Sequence, residues 1–103
     1  MTPRGDAPAL VRAIAQRVQT GPGTAPPGLR EKAFENRDLP EPLAALLDNV
    51  AKRSFQVRDE DFAAALAAGY SEDQLFELVI CAAVGESSRL YQAALDALTE
   101  VAV

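Results

Sequence analysis

Apolar positions recur at helical spacing along almost the whole chain. Leu10, Val11, Ile14, Ala15 and Val18 share one face, with Arg12, Gln16 and Arg17 largely opposite, and predict a first helix over Pro8–Gln19. Pro8 suits the first helical position, where its missing N–H would have had no acceptor. The stretch Gly21–Gly28 holds six Gly or Pro in eight residues and predicts a flexible loop or short polyproline-like link. With no strand before it, no GK[ST] ending and no GxGxxG, it does not read as a phosphate cradle. Leu29, Ala33 and Phe34 predict a short helix over Leu29–Asn36, interrupted by Leu39-Pro40-Glu41-Pro42. Pro42 can open the next helix, whose buried stripe of Leu43, Leu46, Leu47, Val50 and Ala51 runs as far as Ser54 or Phe55.

The second half carries sharper signals. Asp59 is placed to cap a helix over Glu60–Ala68, and Gly69 fits the left-handed position that closes one. Ser71-Glu72-Asp73-Gln74 is a capping box, with Tyr70 and Leu75 at staple positions on either side. The helix it opens is apolar nearly all round from Leu75 to Val84, a pattern expected of a helix buried on most sides. Gly85 then permits a break or kink, with Ser87 or Ser88 able to cap a renewed helix. Leu90, Tyr91, Ala94, Leu95, Leu98 and Val101 form the last stripe. No window alternates with period two, so the fold class is all-α, a small multi-helix bundle.

Composition narrows the chemistry more than the fold. The chain has 103 residues, 49% of them hydrophobic, with no Trp, so the core must be built from Leu, Val and Ala. A net charge of −5 leaves no electrostatic footprint for nucleic acid or an anionic membrane, and neither is expected as a partner. The sequence contains no His, which removes the commonest general base and every imidazole metal ligand. Its one Cys, Cys81, forms no CxxC and no thiolate zinc site, and a lone thiol fits a reducing compartment. No metal and no cofactor are expected. With no basic-apolar-small leader and no apolar run long enough for a membrane span, the expected location is cytoplasmic.

The run "ALAAGYSEDQLFELVICAAVGESSRLYQAALDAL", within Phe62–Leu98, resembles the C-terminal helical segment of the alkylhydroperoxidase D-like, or carboxymuconolactone decarboxylase-like, superfamily. Its elements are a helix ending Ala-x-x-Gly, a Ser or Thr cap, an acidic first turn, a long apolar helix and a Leu/Ala-rich final helix. The lead-in "VRDEDF" is similar to the family's "xVTDEDV", with Arg58 where a capping Thr is usual. The resemblance covers about the last sixty residues and implies an oligomeric helical fold. It divides the chain into 1–28, an N-terminal helix and Gly/Pro-rich loop, and 29–103, the helical domain. Peroxidase members carry Cys-x-x-Cys followed by His. Here Cys81 reads Cys-Ala-Ala-Val, Val84 stands at the second Cys position and Ser88 at the His spacing.

The candidate catalytic residues are therefore few. Cys81 sits in the most apolar helix, where burial would raise its pKa and make it a small core residue. Glu77, one turn earlier, could serve it as a base if both line a cavity. Glu86 interrupts an apolar neighbourhood and has Arg89 three residues on as a partner. Asp59-Glu60-Asp61 lacks the spacing of a calcium loop and reads as a solvated helix N-terminus, and Lys52, Arg53 and Arg58 as salt-bridged surface. The expected function is a non-catalytic helical module that assembles as a homo-oligomer or with a hetero-protein partner, Leu75–Val84 and Leu90–Leu98 at the contact. The alternative is a peroxidase- or decarboxylase-type enzyme of the same superfamily using Cys81 and nearby carboxylates.

Overall fold

Short connections join the helices in chain order: α1 (Pro3–Thr20), α2 (Pro27–Glu35), α3 (Leu43–Lys52), a single 3-10 turn (Ser54–Gln56), α4 (Asp59–Ala67) and α5 (Glu72–Ala102). The computed structural model describes the backbone of residues 3–102 and the side chains of residues 7–102. Positions 1, 2 and 103, at the outer ends of the two predicted segments, lie outside the described residues. Among the described residues there is no strand, and the all-α reading holds.

Local chemistry accounts for most of the boundaries. The Ser71 hydroxyl accepts from the Gln74 N–H at 3.1 Å while the Gln74 side chain accepts from the Ser71 N–H at 3.0 Å, the reciprocal pair of a capping box. Helix α4 closes on Gly69 at φ 108°, with Tyr70 N–H reaching Ala65 O and Gly69 N–H reaching Leu66 O. Asn36 ends α2 in the same way at φ 55°. Its side chain donates to Asp48 Oδ1 at 2.9 Å and so ties the turn to α3. The α4 N-cap is Arg58 rather than Asp59. Asp61, a turn inside, accepts from the Arg58 N–H at 2.9 Å and leaves Asp59 as the first helical residue.

Two further expectations give way in the helices that flank the molecule's long axis. Pro8 does not open α1, which starts at Pro3 and carries Pro8 inside it. The proline forfeits one backbone bond, and packing of α1 along α5 keeps the helix continuous. Gly85 neither breaks nor kinks the chain into two helices: α5 runs unbroken for 31 residues, about 46 Å at 1.5 Å per residue. The glycine serves close approach instead. A Cβ there would collide with the Phe34 carbonyl oxygen, so α2 crosses α5 at that point with backbone against backbone.

Helix α5 is the spine, contacting α1, α2, α3 and α4. The core lies where α2, α3 and α4 meet its first half, around Ala33, Leu43, Leu46, Leu47, Ala65, Leu75, Leu78, Cys81 and Ala82. The Leu75–Val84 stretch is buried on one side only. Leu75, Leu78, Cys81 and Ala82 face inward while Phe76 is 68% exposed and Ala83 is exposed. Too few helices surround α5 to cover a helix apolar all round. Farther along, Pro8, Val11, Arg12 and Ala15 of α1 lie beside Ser88, Tyr91, Gln92 and Leu95 of α5. The principal extents are 51 × 28 × 22 Å and the radius of gyration is 15.4 Å, above the roughly 13 Å of a compact chain this long.

Candidate functional site

Polar side chains converge where the Gly21–Gly28 loop returns along α5. Glu77 points from α5 into the loop, and both carboxylate oxygens are taken. The Thr24 N–H reaches Oε1 and Oε2 at 2.9 Å, the Thr24 hydroxyl Oε2 at 2.9 Å, and the Ala25 N–H Oε1 at 2.8 Å. The carboxylate lies against Gly23, where a Cβ would come within 2.6 Å of Oε1. The Ala25 amide, then the Thr24 amide, holds the Glu77 carboxyl below its ordinary value, aided by the Thr24 hydroxyl and the Arg30 charge, while partial burial opposes the shift.

Arg30 secures the same loop from the other side. It is 5% exposed and gives its guanidinium protons to backbone carbonyls: Nε to Ala25 O at 3.0 Å, Nη1 to Gly21 O at 2.7 Å and Val18 O at 3.5 Å. Sequence reasoning missed this residue. The signal was present, because Arg30 shares a face of α2 with Leu29, Ala33 and Phe34, where a charge must find partners or be expelled.

Cys81 lies one turn beyond Glu77, fully buried, and its thiol donates to Val18 O at 3.1 Å. Burial pushes the Cys81 thiol up to about 11; Arg30 draws it down and Glu77 adds to the rise. A thiol in that state is a weak nucleophile at neutral pH. The structure brings Glu77 and Cys81 to one place, yet Glu77 is bonded to the α1–α2 connection and Cys81 to the Val18 carbonyl in the last turn of α1, rather than to each other. An opening of about 180 Å³ beside them is lined by Arg17, Val18, Pro22, Arg30, Glu77 and Ile80.

Glu86 sits apart, on the side of α5 that meets α2. It pairs with Arg89 at 3.1 Å, and Arg89 also donates to Phe34 O at 2.7 Å, so the pair clasps the C-terminal end of α2 beside Gly85. Of the basic cluster, Arg53 pairs with Asp48 and Arg58 lies 4.0 Å from Glu60. Among the described residues no group of three or more Cys, Asp or Glu is gathered to hold a metal, and no helix is long and apolar enough to cross a membrane.

No family model matches the chain, and neither does any curated protein or solved structure.

Proposed function

We propose that this chain is a non-catalytic helical module that works by assembling, first with copies of itself, and that it is a relative of the carboxymuconolactone decarboxylase-like proteins its second half resembles. The observation that carries this reading is the surface. Leu10, Ile14, Phe55, Leu66, Phe76, Leu90, Leu98 and Val101 are exposed, from 41% to 85%, on a chain of 103 residues. Single exposed apolar side chains are ordinary, but four of these, Phe76, Leu90, Leu98 and Val101, fall on one helix, α5, and a repeated apolar exposure of that kind marks a surface made for contact. The chemistry-bearing residues add support. Glu77 holds the α1–α2 loop, Cys81 bonds the Val18 carbonyl of α1, and Glu86 pairs with Arg89 at the end of α2.

The test against an enzyme of the same superfamily is direct. Thiol-dependent reduction of an organic hydroperoxide is measured with the full chain and with Cys81→Ser. The expected result is no turnover above buffer in either protein. Turnover that disappears in Cys81→Ser would establish a peroxidatic cysteine and overturn the non-catalytic reading.

A further inference from the structure

We infer that the outward face of α5 is a helix–helix seam occupied by a second copy of this chain in antiparallel, two-fold fashion; the inference rests on the assembly reading above. At 3.6 residues per turn, Phe76, Ile80, Ala83, Ser87, Leu90, Ala94, Leu98 and Val101 fall within roughly a quarter of the helix circumference. Their spacing alternates mainly between four and three, the signature of a seam between paired helices. Phe76, Leu90, Leu98 and Val101 are 62% to 85% exposed, Ala83, Ser87 and Ala94 are exposed, and Ile80 is half-buried. No charge lies on the stripe between Phe76 and Val101. Glu77, Glu86, Arg89, Asp96 and Glu100 all lie on other faces of α5. A helix face meant for water would carry some of them.

The area is of the right order. From Phe76 to Val101 the stripe runs about 38 Å, and a helix about 10–12 Å wide then offers about 400 Å² per copy. Leu10 and Ile14 of α1 widen it. Ile14 lines an apolar cleft of about 330 Å³ with Val84, Ser87 and Tyr91, and Leu10 lies one turn back on the same face. Both copies together reach the ~1,000 Å² that a specific interface needs.

Side-chain size and charge select the antiparallel arrangement. A two-fold axis near the middle of the stripe sets Phe76 opposite Val101 of the second copy, Ile80 opposite Ala97 and Leu98, Ala83 opposite Ala94, and Ser87 opposite Leu90. Phe76 then meets the shorter Val101, and the Ala83–Ala94 pairs on either side of the axis allow close approach. A parallel pair would stack Phe76 on Phe76 and leave gaps at Ala83, Ser87 and Ala94. It would also place the acidic first turns, Glu72 and Asp73, side by side.

Two measurements on the full chain test the seam. Sedimentation compares wild type with Leu90→Asp on the stripe and Leu66→Asp on α4, whose cleft of Phe62, Leu66, Phe76 and Val79 shares only Phe76 with the stripe. The expected outcome is dimeric wild type, monomeric Leu90→Asp of unchanged helicity by circular dichroism, and dimeric Leu66→Asp. In a Cys81→Ala background, oxidation of mixed Ala83→Cys and Ala94→Cys chains should give the heterodimer, while Ala83→Cys alone should not cross-link. A dimer that survives Leu90→Asp and is lost in Leu66→Asp overturns the seam and leaves self-assembly standing. Self-cross-linking of Ala83→Cys overturns the antiparallel arrangement. A folded wild-type monomer at every concentration overturns the seam and self-assembly together.

Discussion

Glu77 and Cys81 lie one turn apart on α5, and they hold the loop that leads out of α1 and the last turn of α1 itself. A carboxylate held below its ordinary value stabilises the fold fully above its unfolded pKa, about 4.3. That contribution is lost as pH falls through the lower folded value. Glu77→Gln should therefore cost about 1–2 kcal/mol at pH 7, in the range for hydrogen bonds to a charged group, and less at pH 3, below the unfolded value, where the unfolded chain has taken up the proton. Urea titrations at the two pH values check this, and a gap that does not narrow in acid would contradict it. Cys81 titrates with the opposite consequence. Its raised pKa means stability is complete below about 8.5 and declines as pH rises toward the folded value of about 11. Iodoacetamide at pH 8 should label folded protein about 100-fold more slowly than urea-unfolded protein, because both burial and the scarcity of thiolate protect the sulfur. Prompt labelling of the native chain would show that the thiol is neither buried nor suppressed.

At the scale of elements, Gly85 discriminates between two accounts of α5. Were it a helix weakness, Gly85→Ala would stabilise the protein by up to about 1 kcal/mol through helix propensity. The structure places the Phe34 carbonyl where the new methyl would go, so the substitution should instead destabilise by about 2–3 kcal/mol and lower Tm by about 10–20 °C. A raised Tm would contradict the crossing of α2 over α5. The same glycine shows where the sequence misled. The capping box at Ser71, the close at Gly69 and the stripe of Leu43, Leu46 and Leu47 were legible because each rests on residues a few positions apart. The role of Gly85 depends on Phe34, and that of Glu77 on Thr24 and Ala25, 53 and 52 residues away. No periodicity carries such information. Arg30 was legible only in part: it shares a face of α2 with Ala33 and Phe34, but the carbonyls it bonds, Val18, Gly21 and Ala25, lie outside that helix.

The whole molecule is longer than its core requires. Helices α2, α3 and α4 enclose one half of α5, while the other half and α1 extend beyond them with apolar side chains facing out. Leaving ~400 Å² of such surface in water would forgo about 10 kcal/mol at about 25 cal/mol per Å², as much as the stability of a typical domain. The all-round apolar character of Leu75–Val84 predicted burial on most sides, and the chain's own helices bury it on one side only. Val101→Asp, at the far end of the stripe and 85% exposed, should leave the fold intact and weaken association about 10-fold or more, read from the concentration dependence of the mass. The most direct test of the central claim is the mass of the wild-type chain by sedimentation equilibrium across the micromolar range at neutral pH. Association predicts twice the 11.0 kDa of one chain, with helicity unchanged as the protein is diluted. A folded species that stays at 11.0 kDa up to the highest concentration would contradict it.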